Sequence, residues 1–319
     1  MIIGRDDRFA GTLLGGASGD ILGAVAEGRS RERIRERFGE LRDFQIGFSG
    51  FGRYTDDTQM TIALALSIIE LSGVDAEHCA KTYATFYDSG RKYGAGAGMI
   101  LKMIRNGEDY RKTARIQFAE GSFGNGGAMR IAPAGLVYSG AEEAIFKKAV
   151  YDALMCTHVH PEAVDGAVVQ ARAVSLMLNM KSAESFEPDQ FLTSLESFAE
   201  TGAIKEKIGN IRKLIERDDD LAVKFLGNGI RASEAVSCAL YAAAKYYRNP
   251  EDAVIKSVNF GGDTDTIGAM TGALMGALHG SGWIPARWLD NMENGEFGKE
   301  FIMTLAKELS KVDPFRSKN

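Results

Sequence analysis

Two segments, GTLLGGASGDILG at residues 11–23 and GAMTGALMGALHG at residues 268–280, carry glycine or alanine at every third or fourth position. On a helix that spacing lines the small residues along one face. In a membrane such stripes serve helix association. The longest apolar run here, Thr61–Ile69, ends at Glu70 and is far too short to span a bilayer. In a soluble chain the stripes predict two helices packed closely as a central pair, with loops at their ends projecting a site.

Helical periodicity extends outward from that pair. It predicts helices over Asp7–Ala26, Asp56–Leu71, Ala76–Tyr87, Ala128–Tyr138, Ala141–Met155, Glu162–Asn179, Gln190–Glu200, Ser233–Tyr247, Glu251–Ser257 and Thr264–Leu278. Only Asp43–Phe51 reads as extended, and glycines interrupt it. The charged stretch Lys181–Asp220 reads as an exposed helical excursion. With 6 prolines and no low-complexity linker, nothing marks a boundary. The expectation is an all-α fold, a single compact domain spanning residues 1–319.

Composition narrows the functional classes. A net charge of -5 and no basic stripe with interleaved aromatics argue against a nucleic-acid-binding surface. Cys79, Cys156 and Cys238 are odd in number and lack any CxxC, so they read as buried thiols in a reducing compartment. The first residues, MIIGRDDRFAGTLLGG, lack the order of a signal peptide. A cytoplasmic protein with no membrane partner is expected.

Two acidic clusters stand out, Thr55-Asp56-Asp57-Thr58 and Asp263-Thr264-Asp265-Thr266. Each pairs carboxylates with hydroxyls ahead of an apolar helical run. An N-cap has the same look, and Asp56 with Gln59 resembles a capping box. The second cluster exceeds what a cap requires. Two residues turn a helix by about 200°, whereas in an extended segment side chains at i and i+2 point the same way. Gly261-Gly262 supplies the freedom for such a segment, which would aim Asp263, Asp265 and Thr266 at one point. If the clusters meet, their carboxylates cannot all ionise without cations among them. Oxygen donors of this kind suit hard divalent ions such as Mg²⁺.

Other signals are weaker alone. Glu27 lies seven residues after Asp20, on almost the same helical face, with Gly28 placed to end the helix. Asp20 reads as a polar residue satisfied against backbone between helices. Gly121-Ser122-Phe123-Gly124-Asn125-Gly126-Gly127 precedes a helix-like segment and suits either a connecting loop or a phosphate cradle. Gly227-Asn228-Gly229-Ile230 is a second small loop, and Phe123 is either core or a stacking platform. His158 and His160, in Thr157-His158-Val159-His160, lack companions for a zinc site. They read as a substrate contact or as incidental neighbours of a helix-capping Thr157.

Five motifs in order carry a resemblance. GxxxGDxLGAxxEG (Gly15–Gly28), YTDDTQM (Tyr54–Met60), GNGGAMR (Gly124–Arg130), THVH with a downstream DGA (Thr157–Ala167) and NFGGDTDTIGAMTGALMGA (Asn259–Ala277) together resemble the ADP-ribosylglycohydrolase family. Its members include ADP-ribosyl-acceptor hydrolases and the dinitrogenase-reductase-activating glycohydrolase. Tyr93-Gly94-Ala95-Gly96 further resembles the branch that removes ADP-ribose from serine and cleaves its polymers. The resemblance implies an orthogonal helical domain with two Mg²⁺ or Mn²⁺ ions in a cleft. It implies Thr55, Asp56, Asp57, Asp263, Asp265 and Thr266 as metal ligands and Glu27 as the acid near the scissile bond. Gly121, Ser122, Phe123, Gly124, Asn125 and His158 are implied as ADP-ribose contacts, with Gly229 and Ile230 near the distal part of the ligand.

The expected activity is metal-dependent hydrolysis of the glycosidic bond of ADP-ribosyl groups, protein-linked or in O-acetyl-ADP-ribose, with Glu27 or Asp57 as acid or base. The expected partner is an ADP-ribose-containing substrate, including an ADP-ribosylated protein. Two rivals are a non-catalytic ADP-ribose-binding or structural relative and a two-metal pyrophosphohydrolase. The intact ligand set and Glu27 weigh against a pure scaffold, and product identity separates the pyrophosphohydrolase.

Overall fold

A computed structural model describes residues 3–47 and 49–316. Among these the protein is all-α, with seventeen α-helices and one minor sheet of two short strands. Helix Arg5–Gly23 lies antiparallel to helix Thr264–His279, and their contact is the most extensive in the molecule. The glycines dictate this approach. A Cβ on Gly19 would stand 2.0 Å from the Gly268 carbonyl oxygen, and one on Gly272 would stand 2.0 Å from that of Gly15. No side chain fits there, so the backbones touch as the stripes predict.

Helices Asp56–Leu71, Pro161–Leu178, Ala232–Tyr246, Pro250–Val258 and Lys299–Leu309 pack around the pair. Arg8 fastens one end of this arrangement from within. Its buried guanidinium donates to the carbonyls of Met177 (3.1 Å), Ala277 (2.7 Å), Leu278 (2.9 Å) and Met180 (2.9 Å). Those carbonyls close two helices, where free acceptors and the negative dipole end favour a cation. At the opposite end, Thr264 Oγ donates to the Gly23 carbonyl at 2.8 Å. That contact sets the end of the first helix beside the start of the last one of the pair, and the site grows from there.

Predicted and observed helices differ where local chemistry intervenes. The Asp56–Leu71 bounds are as predicted, because Thr55 caps the helix and Ser72 ends it in the left-handed region at φ 54°. The predicted Ala128–Tyr138 helix is a 3-10 turn, Ala128–Arg130, followed by helix Ala132–Val137, whose early Pro133 suits a helix start. The extended segment reduces to strands Ile46–Gly47 and Gly50–Phe51, paired antiparallel. Phe48, within that expectation, lies outside the described residues. The Lys181–Asp220 stretch is helical, but its inner face, including Phe191, Leu195, Ile204 and Ile208, is buried in the core. No helix among the described residues is long and apolar enough to cross a membrane.

Candidate functional site

The acidic wall is built from Asp20 outward. Buried in the first helix, its carboxylate accepts from the Thr55 N–H at 3.0 Å, the Thr58 N–H at 3.1 Å and the Thr58 hydroxyl at 2.6 Å. These bonds pin the start of helix Asp56–Leu71 against Arg5–Gly23, so Asp20 is a satisfied structural carboxylate. Thr55, fully buried, donates its hydroxyl to Asp57 Oδ2 at 3.1 Å. The other oxygen, Asp57 Oδ1, is buried with no hydrogen-bond partner. Asp56, one residue earlier, is half-buried and lines the cleft.

The facing wall starts at Gly261 and Gly262, whose φ values of 78° and 73° need glycine. Gly262 pairs with the chain after the first helix, accepting from the Gly28 N–H and donating to the Arg29 carbonyl, each at 2.8 Å. This bridge places Glu27 opposite Asp263. The first helix ends at Gly23, not Ala26, so Glu27 projects from a turn and does not share a helical face with Asp20. Asp263 and Asp265 likewise do not occupy one extended segment. The helix begins at Thr264, leaving Asp263 outside it at ψ 68° and Asp265 in its first turn. The non-helical ψ lets the two converge. One oxygen each from Glu27, Asp263 and Asp265 lies in a group no wider than 4.8 Å.

The electrostatics follow from this crowding. Burial, then repulsion from neighbouring carboxylates, pushes Asp56, Asp57 and Asp265 well above the usual carboxylate range. Asp263 is also raised by burial, although Asn125 donates to its Oδ2 at 2.5 Å. Divalent cations fit such a site. The donors are all oxygens, Asp57 Oδ1 lacks any other partner, and a cation relieves the repulsion.

The other rim joins the two glycine loops. The Asn125 N–H donates to the Ile230 carbonyl at 2.9 Å, and the Ala232 N–H donates to Phe123's at 3.0 Å. The Gly121–Gly127 run leads into the 3-10 turn and not an α-helix N-terminus, so the expected helix dipole behind a phosphate cradle is missing. His158, beneath the loop, lies 2.8 Å through Nδ1 from the Thr157 hydroxyl. Burial, with repulsion from Arg130, pushes its pKa down to about 3. It is therefore a neutral hydrogen-bonding group. His160, not Thr157, caps the next helix, accepting from the Glu162 N–H at 3.2 Å.

A cleft of about 360 Å³ collects Glu27, Asp56, Asp57, Ser122, Gly124, Asn125, His158, Ile230, Asp263, Asp265 and Thr266. Thr55 sits behind this lining. Gly121, Phe123 and Gly229 also fall outside it. Gly121 packs against Val159 and His160, and Gly229 donates its N–H to Glu234 at 2.9 Å. Phe123 is exposed and carries the Arg231 guanidinium 4.7 Å above its ring, on the surface beside the cleft.

Sequence reasoning missed Lys92, Arg130, Gln117 and Phe118, which also line the cleft. Arg130 had a signal, its place in the GNGGAMR motif. It donates to the Gly126 carbonyl at 2.6 Å and the Thr157 hydroxyl at 2.7 Å, bracing loop and histidine together. Lys92 had none.

Known proteins agree with this architecture. The family model described as ADP-ribosylglycohydrolase matches residues 1–318. An uncharacterized protein of Archaeoglobus fulgidus is 33% identical over 310 residues, covering 94% of this chain and 96% of its own. ADP-ribosylhydrolase ARH3 of Bos taurus is 32% identical over 344 residues, covering 96% of this chain and 93% of its own. A solved structure titled ADP-ribosylglycohydrolase-related protein complex superposes with a TM-score of 0.76 at 27% identity, covering 97% of this chain and 98% of that one. Given a whole-length family match and relatives above 30% identity over nearly the entire chain, this protein belongs to the ADP-ribosylglycohydrolase family.

Proposed function

We propose that this chain, as one domain, is a divalent-metal-dependent hydrolase that cleaves the glycosidic bond of ADP-ribosyl groups and releases ADP-ribose. The observation that carries this reading is the convergence of Glu27, Asp263 and Asp265 from two ends of the chain, beside Asp56 and an unpartnered Asp57 oxygen. Asp56, Asp57, Asp263, Asp265, Thr55 and Thr266 would hold two Mg²⁺ or Mn²⁺ ions. Bound there, the ions would supply positive charge for ribose hydroxyls and for a water that must lose a proton.

The chain's own groups carry the remaining roles. Ser122, Gly124, Asn125 and His158 border the cleft, where the Ser122 hydroxyl and a neutral imidazole suit a diphosphate better than carboxylates do, while the N–H groups of Gly124 and Asn125 hold the loop through Ser122 and Ile230. Gly121, Phe123, Gly229 and Ile230 belong to the same rim, with Phe123 and Ile230 exposed for a distal ligand group. Glu27 is the best-placed base, since it stands exposed on a turn at the cleft whereas Asp57 is buried with one oxygen held by Thr55. In the step proposed, water adds to the anomeric carbon as the bond from that carbon to the acceptor breaks. Glu27 accepts a proton from the water, and the departing acceptor takes one up.

Activity on serine-linked, arginine-linked and O-acetyl-ADP-ribose substrates, read as free ADP-ribose, tests the proposal. Glu27→Gln should lower kcat by roughly 10²- to 10⁴-fold with the circular dichroism spectrum intact. Asp263→Ala should abolish release and weaken Mn²⁺ binding. Full activity in both variants would exclude the mechanism.

A further inference from the structure

Lys92 is the cation that the acidic site contacts directly among the described residues. It follows the 3-10 turn Ser89–Arg91 and has a left-handed backbone at φ 61°. Only Ser72 shares that feature among described non-glycine residues, and it ends a helix. Arg91 makes the turn rigid, donating to the Tyr54 carbonyl at 3.0 Å, pairing with Glu293 and lying 3.9 Å over the Tyr54 ring. From this anchored base the Lys92 side chain, 18% exposed, runs inward. Its ammonium donates to the Ala24 carbonyl at 3.0 Å and to Glu27, and lies 3.6 Å from Asp265 Oδ2. A solvated surface lysine has no reason to hold an uncommon backbone conformation and three converging acceptors.

The oxygens involved are telling. Asp265 Oδ1 accepts from the Thr266 N–H at 3.1 Å, and Asp263 Oδ2 is taken by Asn125. The Asp265 oxygen left without a hydrogen bond is the one that faces Lys92, and the same ammonium holds Glu27. We propose that Lys92 is a tethered cation that competes with a divalent ion for Asp265 and holds Glu27 beside it, so that an ion loading this side of the cleft displaces Lys92 and releases Glu27. The inference rests on the metal reading above. It adds that the acidic cluster has a counter-ion within the chain, and that an ion taking Asp265 must displace it.

The test is calorimetric titration of chelator-treated protein with MnCl₂ in about 0.5 M KCl, where solvent-exposed charges beyond roughly 4 Å are screened. Wild type is compared with Lys92→Met and Lys92→Gly. Glycine suits φ 61°, so the second variant keeps the turn even where the first strains it. Competition predicts one Mn²⁺ bound at least tenfold more tightly in both variants, and a lower melting temperature for metal-free Lys92→Met. A merely structural lysine would lower the melting temperature with and without Mn²⁺ and leave affinity unchanged or weaker, and that result overturns the inference while sparing the metal site. Absence of Mn²⁺ binding in all three proteins would overturn the metal reading, and this inference with it. Binding by the variants alone would support competition.

Discussion

Asp57 keeps one carboxylate oxygen buried and without a hydrogen-bond partner. An ionised group in that state is costly unless a cation completes it. Asp57→Asn should therefore act in opposite directions on two measurements. Divalent-ion affinity should fall at least tenfold by calorimetry, while the chelated protein should melt higher because one repelling charge is gone. A parallel loss in both would mean Asp57 is structural. The meeting of the two acidic motifs was legible at the residue scale, since the carboxylates of TDDT and GGDTDT line one cleft. The residue scale was not legible where backbone geometry decided. Glu27 was found, but on a helical face it does not occupy, because the helix stops at Gly23. Lys92 was invisible, since nothing in a sequence marks a lone lysine that takes a left-handed φ.

At the scale of elements, the glycine stripes are the most informative feature, and they constrain each other. A methyl on Gly19 would meet backbone that cannot rotate away. Overpacking of that kind costs about 3 kcal/mol or more. Gly19→Ala should lower the denaturation midpoint accordingly, and it should weaken metal binding too, because the helix ends carry the acids. Arg8→Met tests the other end of the pair. It strips a donor from four buried or part-buried carbonyls, at a cost of about 3 kcal/mol, with little effect on activity per folded molecule. Unchanged stability in either variant would contradict the packing account. Helices with a clear apolar period were legible, often within a few residues. Arg31–Phe38 was not, because Ile34 is its only buried residue. Ala95–Arg105 hid behind its opening AGAG, since glycine argues against a helix before packing is known.

Across the whole molecule, folding buries carboxylates beside one another, and burial first, then mutual repulsion, raises the pKa of Asp56, Asp57 and Asp265. A folded value above the unfolded one, about 3.9 for Asp, gives stability that is present at low pH and lost as pH rises through the folded value. His158 has the opposite sense. Depressed to about 3, it costs stability as pH falls below its unfolded value of about 6.5. Subtracting the melting temperature in chelator from that in Mg²⁺ or Mn²⁺ removes the histidine term. The difference should grow as pH rises from about 5 to 8, because metal binds the ionised acids. A flat difference would indicate that the cluster holds no ion. Fold class was legible at this scale. The pairing of the Gly121–Gly127 and Gly227–Ile230 loops was not, because each is weak alone and only tertiary contact joins them.

The most direct test is product identity. Wild-type protein is incubated with serine-linked, arginine-linked and O-acetyl-ADP-ribose substrates, with Mg²⁺ or Mn²⁺ or with chelator, and the products are separated by chromatography. Free ADP-ribose from at least one substrate, with metal and not with chelator, is the predicted result. AMP in its place, or release of ADP-ribose indifferent to chelation, would contradict the account.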